Sequence, residues 1–146
     1  MSEQTTIKWL YPGDDLTDAY AIRSKVFIEE QNVPPELEMD EIDSITDHVV
    51  LYTKDNIPVA TGRIVWEEDN VTLGRIAVLQ LFRGSGYGAL VVQQLVDKVF
   101  AKGFSEVHLH SQTHAVGFYE KLGFIPYGGI YEDAGIPHRS MVYRKS

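Results

Sequence analysis

The stretch that most constrains this chain is Val78-Leu79-Gln80-Leu81-Phe82-Arg83-Gly84-Ser85-Gly86-Tyr87-Gly88. It leaves an apolar strand and enters the clearest helix of the sequence, Gly86 to Lys102, whose apolar face carries Leu90, Val91, Leu95, Val96 and Val99. Three glycines let the backbone approach a ligand closely and turn several N–H groups toward one point. Those groups lie at a helix N-terminus, where the dipole favours an anion, and Arg83 adds a donor suited to phosphate. The stretch therefore predicts a phosphate or pyrophosphate site. A P-loop needs Lys followed by Ser or Thr after its last glycine, and Tyr87-Gly88-Ala89 supplies neither. A Rossmann turn needs G-x-G-x-x-G, whereas Gly84, Gly86 and Gly88 are spaced G-x-G-x-G. The acid expected at the end of the following strand is matched only by Glu106, at its start.

The surrounding pattern predicts a mixed α/β or α+β sheet with helices on its faces. Thr5 to Tyr11 reads as a first strand, ended by Pro12-Gly13-Asp14. A helix follows, with Asp14, Asp15 and Thr17 as candidate caps. Leu16, Ala19, Tyr20, Arg23, Val26, Phe27 and Glu30 fall along it at helical spacing, and Pro34-Pro35 stops it. His48 to Thr53, Ile57 to Trp66 and Val71 to Leu79 form an antiparallel meander, with turns at Lys54 to Asn56 and Glu67 to Asn70. Glu106 to His110 is another strand. Thr113 is positioned to cap a short helix ended by Gly123, and Phe124 to Tyr131 and Arg139 to Arg144 close the order as a pair of strands.

Charge and composition narrow the function. The net charge is −8, which disfavours nucleic-acid binding, because phosphate neutralisation needs clustered Lys and Arg. Six acids between Glu36 and Asp47 read as a solvated loop or short helix, able to attract a cationic amine, and lack EF-hand spacing for Ca²⁺. There is no cysteine, so disulfides and thiolate metal sites are excluded. His108 and His110 share a strand face but have no placed third ligand for zinc, and no metal is expected. No apolar run reaches membrane-spanning length, and Met1 to Thr6 does not read as a secretory signal. One domain over residues 1–146, in the cytoplasm, is the expectation.

Two motifs then resemble the GNAT superfamily of acetyl-CoA-dependent N-acetyltransferases. Arg83-Gly84-Ser85-Gly86-Tyr87-Gly88 is similar to its Arg/Gln-x-x-Gly-x-Gly/Ala signature. Ala115-Val116-Gly117-Phe118-Tyr119-Glu120-Lys121-Leu122-Gly123-Phe124 resembles its second signature, with A-x-x-x-Y and then Y-x-x-x-G-F. The chain also looks like the ElaA/YjcF-like branch, through Arg23, Val26-Phe27, Glu30-Gln31, Glu38 with Asp40, Asp47-His48, Thr61-Gly62-Arg63, Gly74 to Val78, Gly135-Ile136, His138 and Met141. The resemblance implies a mixed, mainly antiparallel sheet of about seven strands with helices on both faces. It also implies transfer of an acetyl group from acetyl-CoA to the primary amine of a small-molecule or peptide acceptor, by direct attack on the thioester.

The resemblance assigns roles residue by residue. Ile76, Ala77 and Val78 would form the splayed strand end that pairs with the pantetheine arm, with the Val78 N–H as donor to the carbonyl. Arg83, Gly84, Ser85, Gly86, Tyr87 and Gly88 would hold the pyrophosphate, and Tyr119 would lie at the sulfur as general acid. Two positions depart from the pattern. Gln112 stands where an Asn commonly contacts CoA, and Gly74-Arg75 stands where relatives often carry a glutamate base. The base must then come from elsewhere or from a water chain; the candidates are His48, His110, His114, His138 and the acids from Glu36 to Asp43, and His138 is the choice because it opens the last strand near the branch-like Gly135-Ile136. The rival reading is a non-catalytic acyl-CoA sensor or partner-binding module on the same fold. A homodimer is the default expectation for assembly.

Overall fold

A computed structural model describes residues 5–68 and 70–145. The opening Met1 to Gln4 and Asp69 of the turn expected at Glu67 to Asn70 lie outside the described residues. The strands are β1 (Thr6–Leu10), β2 (Asp47–Tyr52), β3 (Pro58–Val65), β4 (Thr72–Val78), β5 (Glu106–Gln112), β6 (Ile125–Asp133) and β7 (Ile136–Arg144). The helices are α1 (Thr17–Arg23), α2 (Pro35–Glu38), α3 (Tyr87–Ala101) and α4 (Val116–Lys121). The strands form one seven-stranded sheet in the order β1-β2-β3-β4-β5-β7-β6. Every pairing is antiparallel except β4 with β5. This is the mixed, mainly antiparallel architecture expected.

Two apolar clusters explain why helices cover both faces of the β1–β4 half. β2 lies inside the sheet and is buried along its whole length. Its alternate residues point to opposite faces. Val49 and Leu51 meet Val91, Leu95 and Val99 of α3, while Val50 and Tyr52 meet Ala19, Ile22 and Val26 on the other side. Gly62 of β3 lies directly beneath α3: a Cβ there would come within 2.8 Å of Leu95 and 2.9 Å of Val91. The glycine thus sets how closely α3 approaches the sheet.

The helix expected from Leu16 to Glu30 divides. α1 ends at Arg23, and Ser24–Glu30 continues as a π-helix. A π-turn admits an extra residue per turn, a change of winding that periodicity alone does not reveal. Asn32 follows in the left-handed region, at φ 59°. The capping expectations are also corrected. Leu16 occupies the N-cap of α1, with no side-chain bond. Asp15 instead accepts from the Thr17 N–H at 2.9 Å and the Thr17 hydroxyl at 2.6 Å, and Asp14 accepts from the Tyr11 N–H at 2.8 Å. Thr113 begins a short 3₁₀ turn, and α4 starts after Ala115 without a side-chain cap.

The acidic segment forms short helical turns, as one of its two readings had it; Glu36 and Glu41 are exposed, but Glu38, Asp40 and Asp43 are not simply solvated. Arg23, which the helical spacing places on an apolar stripe, is fully buried. It donates through Nε to Glu38 at 2.6 Å, through Nη1 to Asp43 at 2.8 Å and through Nη2 to the Glu38 carbonyl at 2.8 Å. Arg63 of β3 donates to Asp43 and Asp40 at 2.8 Å each. Arg75 of β4 donates to the carbonyls of Glu38 and Leu37 at 3.0 and 3.1 Å. Three guanidinium groups therefore balance three carboxylates, and buried charges need such partners. Burial opposes ionisation of Asp43, but hydrogen bonds and charge from Arg23 and Arg63 outweigh it and hold the carboxyl below the usual range. Asp40 is held low by Arg63 in the same way, against its own burial.

Candidate active site

The site begins with a defect in β4. Thr61 pairs with Ala77 and Arg63 with Gly74, so two residues of β4, Arg75 and Ile76, oppose the single residue Gly62. This is a β-bulge, and Arg75 sits in it at φ 50°, in the left-handed region. The Arg75 side chain anchors the bulge to the backbone of α2. Among the described residues β4 and β5 pair only at Thr72 with His108 and at Leu73 with Leu109. From Gly74 onward the two strands are no longer joined by ladder pairing, which leaves a gap between their ends.

Backbone alternation decides which groups face that gap. The Leu79 N–H donates to the Val59 carbonyl at 2.9 Å, toward β3. Val78, one residue earlier, therefore turns its N–H and C=O the other way, into the gap. Its carbonyl accepts from Arg83 Nε at 2.9 Å. The Ile76 and Val78 side chains pack on the α3 side, whereas Ala77 joins the cluster under α1.

The glycine stretch lies at the mouth of the gap. Gly84 and Gly86 have φ of 83° and 90°, so both positions need glycine. Gly86 is the N-cap of α3 and no side chain caps this end. The first N–H groups of a fifteen-residue helix are therefore left for a ligand or water. Gly88 lets Phe118 of α4 approach, since a Cβ there would lie 3.2 Å from its ring. Ser85 is exposed. Tyr87 is buried and meets the Phe82 ring edge-on at 6.2 Å, so only its backbone is available at the mouth.

Tyr119 comes to the same region from α4. It is 8% exposed, with Phe118 and Phe124 edge-on at 5.0 and 5.9 Å. Among the described residues no protein group hydrogen-bonds its hydroxyl, and burial alone raises its pKa well above the phenol range. It is a neutral phenol with a free donor.

The opposite wall is the end of β5 and the uncovered face of β7 and β6. Gln112 pairs in register with His138, and His138 with Tyr131. His138 is the third residue of β7, not its first. Its Nδ1 lies 2.7 Å from the Ile136 carbonyl, which can only accept, so Nδ1 carries the hydrogen and Nε2 holds the lone pair of the neutral ring. The ring stacks on Tyr131 at 6.1 Å. His110, on the same face, accepts or donates through Nδ1 to the Tyr131 hydroxyl at 2.7 Å. Its pKa is lowered, chiefly by burial.

The other histidines are engaged elsewhere. His48 is buried under α1, where Nε2 meets the Thr46 hydroxyl at 2.8 Å and the Asp43 carbonyl at 3.1 Å. His114 meets Gln112 at 2.7 Å. Glu106, the residue weighed as a dinucleotide acid, pairs with His108 and Arg144 at the far end of β5. The structure joins several of the sequence-predicted residues: Arg83 bonds the Val78 carbonyl, Val78 lies against Gly88, Tyr119 belongs to the same apolar cluster as Ile76 and Val78, and Gln112 pairs in register with His138. Glu30 and Gln31, which the sequence marks only as branch-like residues with no site role, lie beside two of these residues. Glu30 grips Arg83 with two bonds of 2.9 Å, and Gln31 accepts from Gln112 at 2.7 Å.

Comparison with known proteins places this geometry. The model of the acetyltransferase (GNAT) domain matches residues 13–145. The chain is 38% identical over 130 residues to the N-acetyltransferase YjcF of Bacillus subtilis, covering 88% of this chain and 92% of that one. It is 33% identical over 129 residues to ElaA of Escherichia coli, covering 82% and 81%. The crystal structure of Escherichia coli ElaA superposes with a TM-score of 0.83 at 27% identity, over 96% of this chain and 99% of that one. A GNAT acetyltransferase from Elizabethkingia anophelis, solved with acetyl-CoA bound, has the same fold, with a TM-score of 0.72 at 15% identity over 98% and 99%. The gap at the β4 bulge, the glycine turn at its mouth and the tyrosine of α4 therefore belong to an N-acetyltransferase, and this chain is a member of the GNAT family, in its ElaA/YjcF-like branch.

Proposed function

We propose that the chain transfers the acetyl group of acetyl-CoA to the primary amine of an acceptor by direct attack, with residues 1–146 as one cytoplasmic transferase domain. The observation that carries this reading is the gap beyond the bulge, with the Val78 N–H directed into it and uncapped helix N–H groups at its mouth. Acetyl-CoA supplies an activated thioester. The residues present suit it: Ile76 and Val78 offer unpaired strand edge to an amide-bearing arm, with Ala77 fixing the strand from behind. Arg83, Gly84, Ser85, Gly86, Gly88 and the Tyr87 backbone offer donors to a pyrophosphate.

The chain's own groups then divide the work. The Val78 N–H donates to the thioester oxygen as it gains negative charge. His138 Nε2 takes a proton from the acceptor ammonium, whose ordinary pKa of about 10.4 keeps it from attacking unaided. Tyr119 holds the proton that the departing sulfur needs, and its raised pKa keeps the phenol protonated throughout the physiological range. Gln112 stands between His138 and the gap and offers an amide to the donor or the acceptor.

Thermal unfolding with and without acetyl-CoA, followed by thiol release against a panel of amines, tests the reading. A ligand bound by the native state raises its melting temperature by mass action. The expected result is a shift, turnover on at least one amine, and a kcat about 10²-fold lower in Tyr119→Phe. A shift without turnover on any amine instead makes the chain an acyl-CoA sensor. No shift well above micromolar ligand sinks the acetyl-CoA reading.

A further inference from the structure

A tight turn decides what lies opposite His138. Ala134 and Gly135, at φ 53° and 76°, join Asp133 of β6 to Ile136 of β7, and those two residues face each other in register. A hairpin turn of this length fixes the pairing of its strands. Counting back from it places Tyr131 directly across from His138. Cross-strand partners carry their side chains on one face. The two rings stack, 6.1 Å apart and tilted by 26°. On its other side His138 faces Gln112 of β5. His110, two residues before Gln112, shares that face. Its Nδ1 lies 2.7 Å from the Tyr131 hydroxyl, and the two rings meet edge-on at 6.0 Å. Tyr131 is thus held at both ends, by its ring on β7 and by its hydroxyl on β5.

The strand that carries Tyr131 contributes little to the core. β6 is an edge of the sheet and is exposed along almost all of its length. Its register is broken at one place. Tyr127 faces Ser140 and Tyr131 faces His138, so Gly128, Gly129 and Ile130 oppose the single residue Arg139. Gly128 takes φ 72°, and its carbonyl accepts from Arg139 Nε at 3.2 Å. The extra residues let both tyrosines meet a histidine of β5, Tyr127 with His108 at 2.8 Å and Tyr131 with His110. Bulges re-aim side chains in this way, often next to active sites.

A base must present its lone pair in one direction. Nδ1 of His138 is tied to the Ile136 carbonyl at 2.7 Å, which leaves Nε2 for the proton. One bond at one nitrogen still lets the ring tilt about it. A second ring against its face removes that tilt, and a phenol face suits the positive imidazolium that forms. We propose that Tyr131 is a positioning residue for His138: it sets the plane of the imidazole, and His110 sets Tyr131. Three strands then supply one ring each to a single unit. This rests on the reading of His138 as the base of an acetyl transfer.

The experiment uses the full chain with acetyl-CoA and two acceptors, ethylamine and trifluoroethylamine. Ethylamine is an ammonium at neutral pH and needs a base, whereas the fluorines leave the other amine largely unprotonated. Tyr131→Leu should lower kcat for ethylamine about tenfold, as a misaligned base does, with the KM for acetyl-CoA and the unfolding midpoint nearly unchanged. The loss for trifluoroethylamine should stay under about twofold, because little proton removal is required. Tyr131→Phe keeps the stacked ring and should recover most of the ethylamine rate. His110→Ala should slow the wild-type protein but not Tyr131→Phe, since it acts through the hydroxyl. Equal losses on the two amines would show that Tyr131 shapes the site without acting through the base, and would overturn the proposal. A wild-type ethylamine rate in Tyr131→Leu overturns it too. Nitrogen NMR of the imidazole rings reads the same unit without turnover. His138 should give one Nδ1-protonated form in the wild type and a shifted or broadened signal in Tyr131→Leu, and identical signals overturn the positioning. Full activity in His138→Gln instead removes the base reading, and the proposal falls with it.

Discussion

Two arginine–carboxylate pairs stand at opposite ends of the segment that covers the sheet. At one end Arg23, the last residue of α1, is sealed between Glu38 and Asp43 with no exposed surface. At the other end Arg83 meets Glu30 at the mouth of the gap, where both side chains reach solvent. The bonds are of similar length, but the consequences differ. A buried charge that loses its partner keeps its desolvation penalty, so the Arg23 pairs hold permanently. An exposed charge that loses its partner is rehydrated, so the Arg83 pair can open to a ligand. Similar chemistry fixes the scaffold in one place and leaves the site open in the other.

The largest expected effect tests the buried end. Asp43→Asn leaves Arg23 and Arg63 short of a carboxylate and should destabilise the fold by about 3–5 kcal/mol in denaturant unfolding. A loss below about 1 kcal/mol would mean that the buried end is no firmer than an exposed pair, and the contrast would fail. Arg83→Gln should weaken acetyl-CoA binding by about 10- to 100-fold, through lost charge-assisted bonds, while leaving the unfolding midpoint almost unchanged. A large drop in the midpoint would show that Arg83 too is part of the scaffold.

Acid titration separates the groups within the buried end. His48 has its pKa lowered chiefly by burial, so the unfolded chain takes up its proton first. Stability from this source is present above about pH 6.5 and declines as pH falls toward the folded value. Asp40 and Asp43 are held below the usual carboxylate range, so their contribution is intact above about pH 4 and is lost as pH falls through their folded values. Urea midpoints measured from about pH 8 to about pH 3 should fall in two stages. His48→Gln should flatten the first, and a single-stage curve would count against the assignment. The smallest effect belongs to the open end: Glu30→Gln should change stability by less than about 1 kcal/mol.

Much of the site could be read from the sequence because its parts are local. The turn from Arg83 to Gly88 carries its own instructions: glycines at left-handed positions and a helix that starts immediately after them. The strand and helix order followed from alternation and 3.6-residue periodicity. The two signatures around Gly84 and Tyr119 fixed the family before any contact was known. Misreadings fell where a residue's meaning depends on a distant partner. Glu38, Asp40 and Asp43 read as solvated because nothing nearby in sequence neutralises them. Their counter-ions come from α1, β3 and β4, 15 to 37 residues away along the chain. Arg23 matched an apolar stripe by position, and only its placement over Glu38 explains why a cation belongs there.

The sequence by itself therefore determined the class of fold and the family, and pointed to the candidate residues of the site. Each of these rests on patterns confined to one strand, one helix or one turn, where side-chain period and backbone preference act over a few residues. The tertiary structure alone decided that β4 bulges at Arg75 and parts from β5, that the Val78 N–H faces the gap, and that Glu30 and Gln31 meet Arg83 and Gln112. These depend on register, on the winding of a π-turn and on the meeting of charges far apart in sequence. Packing settles such choices by satisfying buried polar groups, and no local pattern records the result.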